Sequence, residues 1–445
     1  MQLQPTYNQI IRLALPISLS LLIPQMSFMA NAAFLGRLGT FELEVNSLCS
    51  IYYLLLTWVG FGWSNGVMVI MSRRLGEKRM HAAATVFGNA VVIALLLAFL
   101  LMLLTFMIAP ILFRFSLSDS EVMVGCKNFL NIRMLSFPLL MLTQLMNIYC
   151  IATNRSRRLI AGSIAGNVVN IILDYGLIFG NWGMPNLGLY GAAVGSATGE
   201  LASFLTMWTI FFVKKEHLTF YFFRRLMVKK AETFHTFRVA SPLILQYVFS
   251  IGGWLLFFIY IEHLGATELA TSHIIRSVLG LAGVGTWALA STCNTMVGNI
   301  IGQGKPQGVL PLTGKILMVS FGYALSFCLL LNIFPVEFFS IFTSDPAIIE
   351  AGLPTLRLTS FSILVLSLGT ICFNAVIGSG KTWVNMIIEI FCVCSYMVYV
   401  TIIVEKMRLP LHIAWSSEFV YWGLLFLLSG AYLIKRFRKT KFNLR

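Results

Sequence analysis

Charge is what this sequence has least of. Only 11% of its 445 residues are Asp, Glu, Lys or Arg, against 58% hydrophobic. The mean hydropathy is +0.83. Soluble domains carry about 25% charged residues, so a soluble enzyme is excluded. Acidic residues are scarcer than basic ones, 17 against 32, and the formal net charge is +15. An excess of that size often marks a nucleic-acid partner. Here the basic residues fall in short loops between apolar runs, so they set membrane orientation, and no nucleic-acid partner is expected. Histidine is also scarce, six residues scattered along the chain. No Cys-x-x-Cys occurs, and all eight cysteines lie in apolar runs, where they read as small hydrophobes. No Ser, His and Asp arrangement and no cluster of His and Cys suggests catalysis or a transition metal. An enzyme and a bound cofactor are therefore not expected. The stretch from Gly302 to Lys305 has the wrong length for a phosphate-binding loop and follows a helix, which argues against transport driven by ATP on this polypeptide. The first apolar run, Ile10 to Gly36, is too long for a signal-peptide core, and no cleavable signal is expected.

Long apolar runs are what the chain has instead. A membrane-crossing helix needs about 20 mostly apolar residues. Twelve such runs can be read, at roughly 10–36, 46–72, 81–112, 122–153, 159–180, 188–213, 239–263, 269–301, 312–334, 348–377, 382–404 and 410–434. They are far longer than the ~10 residues of a membrane strand, so the fold class is all-α and integral to a membrane. Alternate loops hold most of the basic residues: Arg73, Arg74, Lys78 and Arg79; Arg155, Arg157 and Arg158; then Lys214 to Arg238. The opposite loops hold only Arg37, Arg114, Lys406 and Arg408. By the positive-inside rule both termini are expected in the cytoplasm.

The chain repeats itself. Pro16 recurs as Pro242, Leu38-Gly39 as Leu264-Gly265, Leu75-Gly76 as Ile301-Gly302, and Ser118-Asp119 as Ser344-Asp345. Arg133, Ser136 and Phe137 recur as Arg357, Ser360 and Phe361. Five matches in order and nearly gapless indicate two homologous halves of six spans, a parallel repeat. The expected domains are a six-helix bundle over 1–213, a basic cytoplasmic linker over 214–238, a second six-helix bundle over 239–434, and a basic tail over 435–445.

Ionisable residues inside spans are costly and are functional candidates by default. The acidic ones are Asp174, Glu200, Glu389 and Glu418. Asn170 and Asp174 share a helix face at i and i+4, with Asn167 one turn earlier. A carboxylate with neighbouring amide oxygens suits a proton or a hard cation such as Na⁺; a polar cluster gluing helices is the alternative. Glu200 lies one turn beyond Ser196. It is open whether it supplies a second carboxylate, attracts cationic substrate or marks a helix end. Glu389 and Glu418 are expected to snorkel or to pair with Arg276. Gln144 and Asn147 form a polar stripe at i and i+3, and with Asn167 and Gln25 they are assigned to a substrate cavity. Span one carries Pro16, Pro24 and Asn31. Proline removes a helix hydrogen bond, so Pro16 is the candidate conformational hinge.

These features resemble the multidrug and toxic compound extrusion (MATE) family over nearly the whole chain. The segments that carry the resemblance are Leu15-Pro16, Phe34 to Gly39, Arg74 to Lys78, Asn170 to Asp174, and Gly191 to Ser196. The resemblance implies a V of two six-helix bundles around a central cleft. It implies export of amphipathic, often cationic, organic molecules in exchange for H⁺ or Na⁺. One branch of the family uses a cation site that maps onto Asn31, Asn170, Asp174 and Ser196, with Asn31 where an Asp stands and Ser196 where a Thr stands. The other branch places carboxylates where this chain has Ser250 and Leu366. Coupling, with Na⁺ at Asp174 as one option, is therefore expected in the first half. The chain is expected to act as a monomer whose partners are small organic substrates, the coupling cation and the bilayer. A flippase for a lipid-linked sugar, or an exporter of one specific metabolite, is the second reading. It would require basic residues in mid-span, and few are visible.

Overall fold

The backbone of an apolar chain in lipid has no water to bond, so its polar groups must pair internally, and helices satisfy that demand. The computed structural model describes residues 2–116, 119–343 and 345–438. Ser118 and Ser344 of the repeat, and 439–445 of the expected tail, lie outside the described residues. Among these residues twelve helices are long and apolar enough to cross a membrane. They are α1 (Tyr7–Gly36), α2 (Thr40–Gly76), α3 (Met80–Phe115), α4 (Ser120–Ala152), α5 (Arg157–Phe179) and α6 (Leu189–Val213) in the first half. In the second they are α7 (Lys230–Glu262), α8 (Ala266–Gly302), α9 (Pro306–Ile333), α10 (Ile348–Gly378), α11 (Thr382–Lys406) and α12 (Leu411–Arg438). The count matches the twelve apolar runs. Local chemistry sets the ends. Asp119 caps α4 by accepting from the backbone N–H of Glu121 at 2.8 Å. Gly180 stops α5 in the left-handed region, φ 72°.

The helices form two compact units. One holds Leu19–Met71 and Arg79–Ile244; the other holds Ser72–Lys78, Leu245 onward and the residues up to Ser18. The linear halves thus exchange their ends. The reason lies in the core. Leu3, Ile10, Leu13 and Ala14 are buried with Leu289, Met296, Leu312, Ile371 and Phe437 in the C-terminal unit. There the Leu3 N–H donates to Asn299 Oδ1 at 2.9 Å. In the N-terminal unit, Ala240 of α7 packs where Gly66 has no side chain; a Cβ there would come 2.7 Å from the Ala240 Cα. The boundary crosses α1 after Ser18 and α7 after Ile244, each just beyond one of the repeat-related prolines, Pro16 and Pro242.

The segment expected as a linker is folded onto the N-terminal unit. It forms two short helices, Glu216–Thr219 and Phe222–Arg225, and α7 begins inside it. Phe222 is buried among Phe87, Trp208 and Phe211. Glu216, 3% exposed, is paired with Arg155 and Arg158 and accepts from the Tyr149 hydroxyl at 2.8 Å.

Helices α5 and α6 approach closely because both carry glycines one turn apart. Gly162 and Gly166 face α6, and Gly191, Gly195 and Gly199 face α5. Small residues let backbones meet, which drives helix association where lipid offers no hydrophobic gain. A Cβ on Gly199 would lie 2.7 Å from the Gly166 carbonyl oxygen and 2.9 Å from the Asn170 Cβ. The first obstacle is backbone, which cannot turn aside. Gly199→Val is expected to force α5 and α6 apart and cost about 1–3 kcal/mol of stability. Thermal unfolding of the purified variant in detergent checks this; an unchanged transition would mean that the two helices adjust freely.

Candidate functional site

Three helices of the N-terminal unit bring together the four residues of the proposed cation site. Asp174 of α5 is 1% exposed. Its Oδ2 accepts from the Asn31 amide of α1 at 3.2 Å and from the Asn170 amide at 3.0 Å. The Asn170 amide also lies 3.4 Å from the Ser196 hydroxyl of α6. Asp174 Oδ1 and Asn31 Oδ1 are buried without a hydrogen-bond partner. Among the described residues no ion pair holds Asp174. Gly195 is part of the site as well, since a Cβ there would overlap Asp174 Oδ1. The helix contact that the glycines permit is also what gives Asp174 its room.

Glu200 does not join this group. It accepts from the Tyr53 hydroxyl at 3.0 and 2.9 Å and is ion-paired to Arg133 at 3.0 Å. The Arg133 guanidinium lies 4.1 Å over the Tyr53 ring, a cation–π contact. Of the three roles left open for Glu200, the helix-end reading is corrected: it stands well inside α6, and its half-buried carboxylate is paired with an arginine. One of the few basic residues in mid-span is Arg133, which stands near the middle of α4 with its side chain 14% exposed. Sequence reasoning passed over Arg133 and Tyr53. One signal was present: Arg133 opens a repeat match whose partner, Arg357, is exposed and has no such duty.

The residues assigned to a substrate cavity also lie in the N-terminal unit. Gln144 donates to the Thr57 carbonyl of α2 at 3.3 Å. Asn167 spends an amide N–H on the Ser163 carbonyl of its own helix at 2.7 Å. Asn147 is half-buried and Gln25 is exposed.

In the C-terminal unit, Glu389 and Glu418 neither snorkel nor pair with Arg276. Glu389 is 1% exposed and accepts from the Ser250 and Tyr421 hydroxyls, the latter at 2.6 Å. Glu418 is 2% exposed and accepts from the Trp422 indole at 2.7 Å. Arg276 lies over the Phe258 ring instead, at 5.5 Å. The second half therefore does hold buried carboxylates. Its residue at the position matching Asp174, near Val398, remains apolar, and Val398 is exposed.

Carboxylates buried among helices long and apolar enough to cross a membrane point to a membrane transporter. The MatE family model matches the chain twice, over residues 16–176 and 242–402. The chain belongs to the MatE family: it is a multi-pass membrane transporter and not an enzyme. It is 24% identical over 437 residues to a probable multidrug resistance protein NorM of Thermotoga maritima, covering 95% of this chain and 92% of that one. It is 23% identical over 392 residues to the multidrug export protein MepA of Staphylococcus aureus, covering 85% and 82%. Among solved structures, an outward-facing multidrug resistance MATE family transporter of the MOP superfamily superposes with a TM-score of 0.89. That match covers 97% of this chain and 96% of the other at 16% identity, and it shows the fold alone.

Proposed function

We propose that the protein is an antiporter that exports amphipathic, often cationic, organic molecules in exchange for protons bound at Asp174. The observation that carries this reading is the isolation of Asp174, a carboxylate 1% exposed with no basic partner in ion-pair reach. An uncompensated buried anion is costly, so such a group takes up a proton or a cation. The proton is the better fit: two amide N–H groups occupy Oδ2, and the two free oxygens that remain, Asp174 Oδ1 and Asn31 Oδ1, are fewer than the shell of oxygen ligands a hard cation takes. The NorM and MepA relatives are named for multidrug resistance and multidrug export, which supports organic substrates of varied structure. Arg133 is already matched by Glu200, which weighs against a phosphate-binding cavity and so against the flippase reading. Pro16 is the proposed hinge, since the boundary between compact units crosses α1 just after it. Both termini are placed in the cytoplasm on the charge pattern of the loops.

Proteoliposomes holding the purified protein test the exchange. Ethidium uptake is expected to follow an imposed proton gradient of the export polarity and to ignore a sodium gradient. Uptake driven by sodium alone would replace H⁺ by Na⁺, and no gradient dependence would sink the antiport reading.

A further inference from the structure

The C-terminal unit contains titratable groups that coupling at Asp174 does not use. Glu389 of α11 and Glu418 of α12 are each almost fully buried. Each has one oxygen that accepts a hydrogen bond and one that has no partner, Oε2 of Glu389 and Oε1 of Glu418. A cavity of about 10 Å³ lies beside them, lined by Ser250, Trp254, Val393, Tyr396, Glu418 and Tyr421. Tyr421 links the two acids, because it bonds Glu389 and lines the cavity with Glu418. Tyr396, 3% exposed, lines the same cavity, and its hydroxyl has no hydrogen-bond partner.

The other titratable groups around the acids are Tyr247 on α7 and Cys392 on α11. Neither is a cation at neutral pH. Among the described residues no Lys, Arg or His stands in ion-pair reach of either carboxylate. Two anions held there without a counter-charge would cost far more than the hydrogen bonds return. The site must therefore take up positive charge from outside. Its size says which kind. A cavity of about 10 Å³ has room for roughly one water, which excludes an organic cation. Its free oxygens are few, Glu389 Oε2, Glu418 Oε1 and the Tyr396 hydroxyl, and a hard metal ion takes a fuller shell of about six.

We propose that Glu389 and Glu418 form a second proton-exchanging site, in the C-terminal unit, that loads and unloads through the cavity beside Tyr396 and Tyr421. Each exchange breaks and remakes one carboxyl O–H bond, with a water in the cavity as the proton's carrier. The site is not the repeat image of Asp174, whose counterpart falls near Val398, so the two halves bind protons at unrelated positions. Its part in transport rests on the antiport reading above; its protonation does not.

Infrared difference spectra of the full-length protein in nanodiscs, taken across a pH step, test the protonation directly. A carboxylic-acid carbonyl band that vanishes as the pH rises is expected in the wild type. It should persist in Asp174→Asn, shrink in Glu389→Gln and in Glu418→Gln, fall to the Asp174 contribution in the double variant, and vanish when Asp174→Asn is added to that double variant. Exchanging potassium for sodium should leave it unchanged. A spectrum identical in wild type and double variant would overturn the proposal, because the acids would then never change state. A band abolished by sodium would overturn it in favour of a metal-ion site. If the glutamine variants fail to fold, Tyr396→Phe reads the same site. It should move the pH midpoint of the band, and an unmoved midpoint counts against the site. In proteoliposomes, a lost proton per cycle should lower ethidium accumulation about tenfold at a tenfold proton gradient, since each proton then contributes about 1.4 kcal/mol. Wild-type vesicles that show no proton-driven uptake would instead refute the antiport reading and leave the infrared result standing.

Discussion

Asp174→Asn should insert and fold like the wild type yet lose gradient-driven export down to the background of empty vesicles. The substitution keeps the shape of the side chain. It keeps an oxygen to accept from Asn31 and Asn170, which now donate at 3.2 and 3.0 Å. What it removes is the one ionisable group of the cluster, and with it the difference between a loaded and an unloaded site. A ligand that binds two conformations equally shifts nothing, so a site that never changes charge cannot bias the cycle. Ethidium efflux from cells lacking their own exporters, with protein level and thermal unfolding measured alongside, gives the answer. Export at the wild-type rate from a normally expressed variant would remove Asp174 from the mechanism. Loss of both expression and export would mean that the cluster holds helices together and does nothing more.

The second large effect is expected at Arg133, on stability. Arg133→Met should lower stability by about 3–5 kcal/mol, because breaking one half of a buried ion pair strands the other charge. The stranded group is Glu200, 16% exposed and left with only the Tyr53 hydroxyl. Glu200→Gln should cost less, since Arg133 keeps the face of Tyr53 at 4.1 Å. The double variant Arg133→Met, Glu200→Gln should recover much of the loss of Arg133→Met. Such non-additivity is the signature of two groups in direct contact. Unfolding of the three variants in detergent measures the cycle; strictly additive losses would show that the pair contributes nothing as a pair. Transport by Glu200→Gln separates stability from function. If Glu200 only balances Arg133, the folded variant should still couple to the proton gradient.

Much of the site was legible in the sequence because it is local. Asn170 and Asp174 sit one turn apart on one helix; the close approach of α6 through Gly191, Gly195 and Gly199 came only from the structure. Arg133 and Glu200 were not legible as a pair, because they are 67 residues apart on different helices and only packing sets them 3.0 Å apart. Glu389 and Glu418 misled for a related reason. In sequence each stands about two turns from the end of an apolar run, where snorkelling is the usual outcome. In the structure Ser250 and Tyr421 close over Glu389, and the indole of Trp422 meets Glu418.

The sequence by itself determined that the chain crosses a membrane twelve times in two repeated sets of six. Apolar length, charged-loop alternation and internal likeness are properties of the chain read in order, and they do not depend on which helix touches which. Tertiary structure decided which helix ends belong to which unit and which buried charges are compensated. The residues before Ser18 join the C-terminal unit because Leu3, Ile10 and Leu13 find their core there. Arg133 pairs with Glu200, while among the described residues Asp174 and Glu389 have no cation in ion-pair reach. Compensation is a matter of a few ångströms between distant segments, where Coulomb and hydrogen-bond energies change steeply, and that distance is fixed only when the helices pack.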